Sequence, residues 1–326
     1  MKDMLPSFAL TIANALLRGF WEGVIIAGTV WLTLRALPNL GASTRYAIWF
    51  CALLVLATVP LATVLQQRTF AAVPASVGAS SNGAMALVSS VSAETSNANR
   101  IARAGLESNA RVREASAVSR VFTQPRLALA AALLWLLAAG ARALLLARMA
   151  RELAALRRDA KLWSTAYDYP VFVSDRVTVP IATGFTRPTI IFPEPLIEEL
   201  SGDALETIII HEVAHLRRYD VWTSTAARFA ELTVALNPAA WFIMRRLSIE
   251  REIACDDWVV AKTGAGGAFA NTLASLATRS HRTVSVAELS ALGARHALVV
   301  RIEKLLDARP RRLHLSRWPL RARLFC

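Results

Sequence analysis

The sequence predicts an α-helical integral membrane protein that carries a cytoplasmic α+β metal-binding domain, and three observations predict it. Of 326 residues, 55% are hydrophobic and the mean hydropathy is +0.40, high for a water-soluble chain. Three apolar runs are each long enough to cross a bilayer, with arginines crowding their ends. Last, Leu205–Asp220, LETIIIHEVAHLRRYD, sets His211, Glu212 and His215 in the pattern H-E-x-x-H on an apolar helical run.

The net charge of +13 is almost wholly arginine, since lysine occurs only at Lys2, Lys161, Lys262 and Lys304. No nucleic-acid module and no interleaving of aromatic with basic residues accompanies it, so direct nucleic-acid binding is not expected. The partner that the charge does fit is the lipid bilayer. Phe8–Leu34 is the first span: it is too long for a signal peptide, holds Arg18 and Glu22, and ends without a small-residue cleavage pattern. Thr44–Leu65 is the second and Arg126–Leu146 the third.

Arg35 and Arg45 flank the first turn, and Arg148, Arg151, Arg157, Arg158 and Lys161 follow the third span. The positive-inside rule puts both in the cytoplasm of a multi-pass plasma (inner) membrane protein, with the N-terminus outside. The organisation is then two transmembrane helices in 1–67, an extracytoplasmic Ala/Ser-rich linker in 68–125, a third transmembrane helix in 126–148, a cytoplasmic domain in 149–307 and a basic tail in 308–326. The linker has few large apolar residues and reads as a tether with a helix near Asn97–Ala117.

The cytoplasmic domain starts with a basic helical continuation, Met149–Arg158. Tyr169–Ser174, Val177–Val179 and Thr189–Phe192 are β-rich and bounded by Pro180, Gly184, Pro188 and Pro193, which predicts a small sheet. Asp203 is the expected N-cap of the next helix, with Glu206 three residues on, and Leu205, Ile208, Ile209, Val213 and Leu216 form its apolar stripe.

His211 and His215 stand one turn apart on one face of that helix, so both rings can reach one metal ion. Glu212, next to the first of them, is placed to take a proton from a water that the metal acidifies. A hydrolytic zinc site needs a third protein ligand and an open position. In Ser248–Asp257, Glu252 and Asp256 are again four apart: one carboxylate can bind the metal while the other supports a ligand imidazole. Glu252 is taken as the third ligand and Asp256 as the support. Cys255 competes, but on a helix through Glu252 it points elsewhere and is expected to pack.

Between the two ligand-bearing stretches, Asn237-Pro238 breaks the helical pattern and Leu232–Met244 is too short to span. Two readings stand there, a helix on or dipping into the membrane surface and a buried helix of the domain. The Gly-rich Thr263–Ala268 lacks G-x-x-x-x-G-K-[ST], so no nucleotide or phosphate cofactor is indicated. Leu289–Leu306 predicts an amphipathic helix with Arg295, Arg301, Glu303 and Lys304 on its polar side, and His281, His296 and His314 are treated as surface residues. Cys51, Cys255 and Cys326 predict no structural disulfide.

Three motifs together carry a family resemblance. His211-Glu212-Val213-Ala214-His215-Leu216-Arg217-Arg218-Tyr219-Asp220, Asn237-Pro238-Ala239-Ala240-Trp241 and Arg251-Glu252-Ile253-Ala254-Cys255-Asp256 resemble, in order, the BlaR/MecR family of membrane-bound antirepressor metallopeptidases, which are gluzincins. Pro180–Phe185 and Arg187–Pro193 resemble the segment that precedes the zinc helix there. The resemblance, over about Leu162–Asp307, implies zinc bound by His211, His215 and Glu252, Glu212 as general base and Asp256 in support. It also implies a gluzincin-like fold, a substrate strand laid along part of Ile181–Phe192, and a cytoplasmic repressor-like protein, or the chain itself, as substrate. No lysine here follows a serine by three positions, so the S-x-x-K penicillin sensor of full-length relatives is not expected in this chain. A quality-control or peptide-processing protease and a non-proteolytic zinc-containing receptor are the rival readings. A homo-oligomer is compatible with either.

Overall fold

In the computed structural model, residues 4–71, 125–280 and 288–307 are described. The bulk of the linker, with the helix expected near Asn97–Ala117, lies outside them, as do His281, His314 and the basic tail. The described chain forms nine helices and one four-stranded sheet, and it separates into two compact units.

Three long helices run through both units: α1 (Met4–Ala36), α2 (Ala42–Ala71) and α3 (Pro125–Asp159). The first unit, Met1–Trp21 with Thr58–Ala138, contains the start of α1, the end of α2 and the start of α3. Ala128 and Ala132 are buried there while Leu129, Leu133, Leu134, Leu136 and Leu137 are exposed, so this stretch of α3 turns its large apolar residues outward.

The predicted spans fall in α1, α2 and α3. Among the described residues, Leu127–Asp159 of α3 meets both the length and the apolarity of a membrane span, with a window of mean hydropathy 2.1. The helix α1 has 33 residues and α2 has 30, each longer than the roughly 20 that a bilayer core requires, but among the described residues α1 does not join α3 in apolarity and α2 contributes only the shorter apolar stretch Ala42–Thr58. No glycine or proline interrupts α3 after Gly140, so the basic continuation belongs to the same helix as the third apolar run.

The second unit, Glu22–Ala57 with Ala139–Cys326, holds everything else. Helix α1 stops at Ala36 because Leu37, which precedes Pro38, disfavours the helical region. The sheet comprises β1 (Lys161–Ser164), β2 (Val171–Ser174), β3 (Ile181–Thr183) and β4 (Thr189–Pro193) in the order β1-β2-β4-β3. Strands β2 and β4 are parallel; β1 on β2 and β3 on β4 are antiparallel. Strand β1 was not foreseen, and Val177–Val179 is not a strand: it bends ahead of Pro180, and Val177 is buried in the interior without a ladder partner.

Helix α4 (Glu194–Glu199) follows, then α5 (Gly202–Arg217), α6 (Asp220–Thr233), α7 (Pro238–Thr263), α8 (Gly266–Ser280) and α9 (Glu288–Leu306). The apolar stripe of α5 packs on the sheet, joining Ile208, Ile209, Val213 and Leu216 to Val171, Val173, Ile190 and Phe192. The N-cap of α5 is Ser201, whose Oγ accepts from the Ala204 amide at 3.4 Å; Asp203 lies within the first turn, where its charge favours the helix dipole.

A second core joins Leu34, Trp49, Leu53 and Leu56 of α1 and α2 to Ala227, Val234, Ala240 and Ile243 of α6 and α7. The ladder breaks at Asn237-Pro238 as expected, and Asn237 caps α7 by accepting from the Ala239 amide at 2.9 Å. Leu232–Met244 is therefore not a helix of its own but the elbow between α6 and α7. A Cβ on Gly23 would stand 2.7 Å from Asn237 Nδ2, so glycine is what lets α1 approach this elbow. At about 1.5 Å per residue, Gly23 lies roughly 20 Å along α1 from Ala36, and Leu56 a similar distance along α2 from Ala42. The elbow's inner side is buried on these helices, while Phe229, Leu236 and Trp241 are exposed. Arg142 of α3 pairs with Glu231 of α6 at 2.6 Å.

Candidate metal centre

Helix α5 presents His211 and His215 on one face, as their spacing requires, with ring centroids 4.9 Å apart. Helix α7 is continuous from its elbow cap to Thr263 and brings Glu252 to the same point. Glu252 Oε2 lies 3.6 Å from His211 Nε2 and 3.9 Å from His215 Nε2. The three ligand atoms lie within 4.8 Å of one another, a spacing that one ion can bridge.

Behind each imidazole stands a carboxylate. His211 Nδ1 is 3.2 Å from Asp256 Oδ1, off the direction of a good hydrogen bond, and Asp256 is 2% exposed. His215 Nδ1 is 2.8 Å from Asp220 Oδ2. Such partners fix which ring nitrogen faces a metal and raise its basicity. Two nitrogens and one carboxylate oxygen are a donor set that suits zinc and other borderline divalent ions.

Asp220 was not foreseen as a site residue. It arrives there because Tyr219 adopts φ 58, a left-handed conformation unique among non-glycine residues in the described chain, which turns α5 sharply into α6. Asp220 also receives Arg218 Nε at 3.3 Å, and Arg218 reaches Ser43 of α2 at 2.7 Å. Cys255 is fully buried against this arm, its Sγ 3.3 Å from His215 Nδ1 and 3.5 Å from Asp220 Oδ2. It packs on the far nitrogen of His215, while Glu252 faces the near one. His215, Asp220 and Cys255 form a second group of metal-ligand spacing, which shares His215 with the first.

Arg301 was assigned to a solvated polar face and is found inside. Its Nε and Nη2 donate to the two oxygens of Asp256, each at 2.8 Å, and its Nη1 is 3.3 Å from Glu252 Oε2. Arg251 approaches the other oxygen of Glu252 at 3.3 Å. Helix α9 thus closes the far side of the centre.

The charges explain one another. Burial works against a proton on His211, but the carboxylates of Asp256 and Glu252 outweigh it and raise its pKa from 6.5 to about 9. Burial would likewise raise Asp256 and Glu252, yet His211 and Arg301 hold both below the usual carboxylate range, with His215 adding to the effect on Glu252. Burial pushes the Cys255 thiol well up, with Asp220 adding to it. The point where the ligand atoms converge therefore favours positive charge.

Glu212, on the same helix, is 8% exposed, and no hydrogen bond or ion pair reaches its carboxylate among the described residues. Strand β3 lies at the sheet edge against α5, with β4 its partner in the sheet. The glycine turn that follows it has φ +101 at Gly184, where a Cβ would collide with the Arg187 carbonyl.

A family model described as BlaR1 peptidase M56 matches residues 17–305. The protein named "Regulatory protein BlaR1" from Bacillus licheniformis is 31% identical over 90 residues, a match that covers 28% of this chain and 15% of that protein's length.

Proposed function

The chain belongs to the BlaR1 peptidase M56 family, and from that premise we propose that it is a membrane-bound zinc metalloendopeptidase of signal transduction. Its substrate is a cytoplasmic protein such as a transcriptional repressor, or the chain itself. The observation that carries this reading is the approach of His211 Nε2, His215 Nε2 and Glu252 Oε2 to one point, with Glu212 next to His211 on the same helix.

In this reading His211, His215 and Glu252 hold zinc, which supplies acidification of a water and polarisation of the scissile carbonyl. Glu212 takes the water's proton and returns it to the leaving amine. Asp220 and Asp256 hold the imidazoles with their Nε2 atoms toward the ion, and Arg301 keeps Asp256 ionised and in place. Strand β3, at the edge of the sheet, offers main-chain groups that bind the substrate as an added strand. The three long helices make the chain a multi-pass plasma membrane protein with the zinc centre on the cytoplasmic side. That reading rests on their length, on the outward apolar residues and on the arginines at their ends.

The test is co-expression of the full chain, and of its Glu212→Gln and Glu252→Gln forms, with the repressor encoded nearest to it. Intact mass of the repressor and zinc content of the purified protein are read together. Cleavage by the unaltered chain, and none by a Glu212→Gln form that still holds zinc, is expected. Zinc without cleavage of repressor or chain would move a receptor or another substrate ahead.

A further inference from the structure

Away from the metal centre, a cavity of about 260 Å³ opens among the start of α2, α6 and α7. Its polar lining is Tyr46, Ser224, Arg228, Arg245, Ser248 and Arg251, three guanidinium groups and three hydroxyls with no carboxylate among them. We propose that this cavity binds the phosphate of an anionic phospholipid from the cytoplasmic leaflet.

The charge in the cavity is only partly neutralised. Arg251 donates to Ser224 Oγ at 2.9 Å and touches Glu252 at 3.3 Å. Arg228 stands 3.6 Å from Glu231, a carboxylate already held by Arg142 at 2.6 Å. Arg245 is exposed, and no carboxylate pairs with it among the described residues. Tyr46 Oη already donates to Thr223 Oγ1 at 2.7 Å, and Ser224 and Ser248 accept from Arg251, so the two serine protons and the planar guanidinium donors are what match a phosphate oxyanion, which accepts from several donors at once.

The place fits a lipid. Tyr46 lies about 6 Å along α2 from its start at Ala42, within the interfacial layer next to the arginine-flanked turn. Met244 and Leu247 complete one wall and suit the glycerol and upper acyl carbons. Basic pockets between membrane helices on the cytoplasmic side are where anionic headgroups bind. The proposal rests on the reading of α1 to α3 as membrane helices and is independent of zinc.

The full chain, in detergent, is incubated with dioleoyl phosphatidylglycerol, with dioleoyl phosphatidylcholine, or with inorganic phosphate, and bound adducts are read by native mass spectrometry. Phosphatidylglycerol adducts are expected, falling at least about tenfold in the Arg228→Gln/Arg245→Gln form. The same charge change on α3, Arg148→Gln/Arg151→Gln, at exposed positions, leaves them unchanged. Undiminished adducts in the first form, equal loss in the second, or equal retention of phosphatidylcholine overturns the proposal. Phosphate bound without lipid assigns the site to the free anion and also overturns it. Melting curves show whether the double variants fold, and the single Arg245→Gln form, expected to lose about half of that effect, replaces a double variant that does not. Membrane flotation reads the membrane premise separately: a chain that stays soluble without detergent sinks that premise and the lipid together.

Discussion

The two imidazoles of the candidate metal centre are backed by the same chemistry and assembled in opposite ways. His215 is held by Asp220, five residues on, through the left-handed Tyr219. His211 is held by Asp256 of α7, which is gripped in turn by Arg301 of α9, 45 residues farther along. The first arm is a product of one turn and is lightly charged; the second is an ion network that exists only while α9 is docked. A centre built this way has one half made by a local turn and another whose integrity reports on the packing of a distant helix.

The comparison breaks or sharpens under substitution. Glu212 belongs to neither arm, so Glu212→Gln lowers turnover by about 10²- to 10⁴-fold while metal stoichiometry stays unchanged. Metal lost along with activity would put Glu212 among the ligands instead. Next, Asp256→Asn and Asp220→Asn should each weaken metal affinity by about 10- to 100-fold, read by competition with a chromogenic chelator. Asp256→Asn also leaves the buried Arg301 with only Glu252 as a charged partner, costing about 3–5 kcal/mol in unfolding, against about 1–3 kcal/mol for Asp220→Asn. Equal losses of thermal stability would erase the difference between the arms.

The ionic arm also predicts a pH dependence for the chelated protein. The folded pKa of His211, about 9, lies above its ordinary 6.5. Its contribution is therefore complete below pH 6.5 and is lost as pH rises through about 9, on the order of 3 kcal/mol. Asp256 runs the other way: its depressed pKa contributes above the ordinary carboxylate range and is lost as pH falls through the folded value. Melting temperature across pH 6 to 10 reads the first, and a His215→Gln form that keeps the same slope assigns it to His211. The smallest effect lies at the elbow, where Asn237→Ala removes the cap of α7 and costs about 1 kcal/mol with metal affinity unchanged. A drop in metal affinity there would mean that the elbow sets the position of Glu252.

The residues that the sequence showed and those it hid differ in a physical way. His211, Glu212 and His215 were legible because a helix of 3.6 residues per turn makes four-residue spacing a statement about position. The same rule paired Glu252 with Asp256 before any contact was known. Asp220 stood within the inspected stretch, but its approach depends on a non-glycine left-handed turn, for which composition carries no signal. Arg301 was hidden because a guanidinium facing water and one facing a buried carboxylate occupy the same side of an amphipathic pattern. Val177 likewise reads as a strand residue by type, and only the lack of a neighbouring strand made it core.

By itself, then, the sequence determined what depends on local periodicity and composition: the long helices, the histidine pair on one face of α5, the carboxylate pair on α7 and the break at Asn237-Pro238. Tertiary structure alone decided which carboxylate stands behind which imidazole, that α9 supplies Arg301 and that the elbow rests beside Gly23 of α1. Spacing along one helix is set by backbone hydrogen bonds between near neighbours. The meeting of separate helices is set by shape and burial summed over the whole core, which no single stretch of sequence contains.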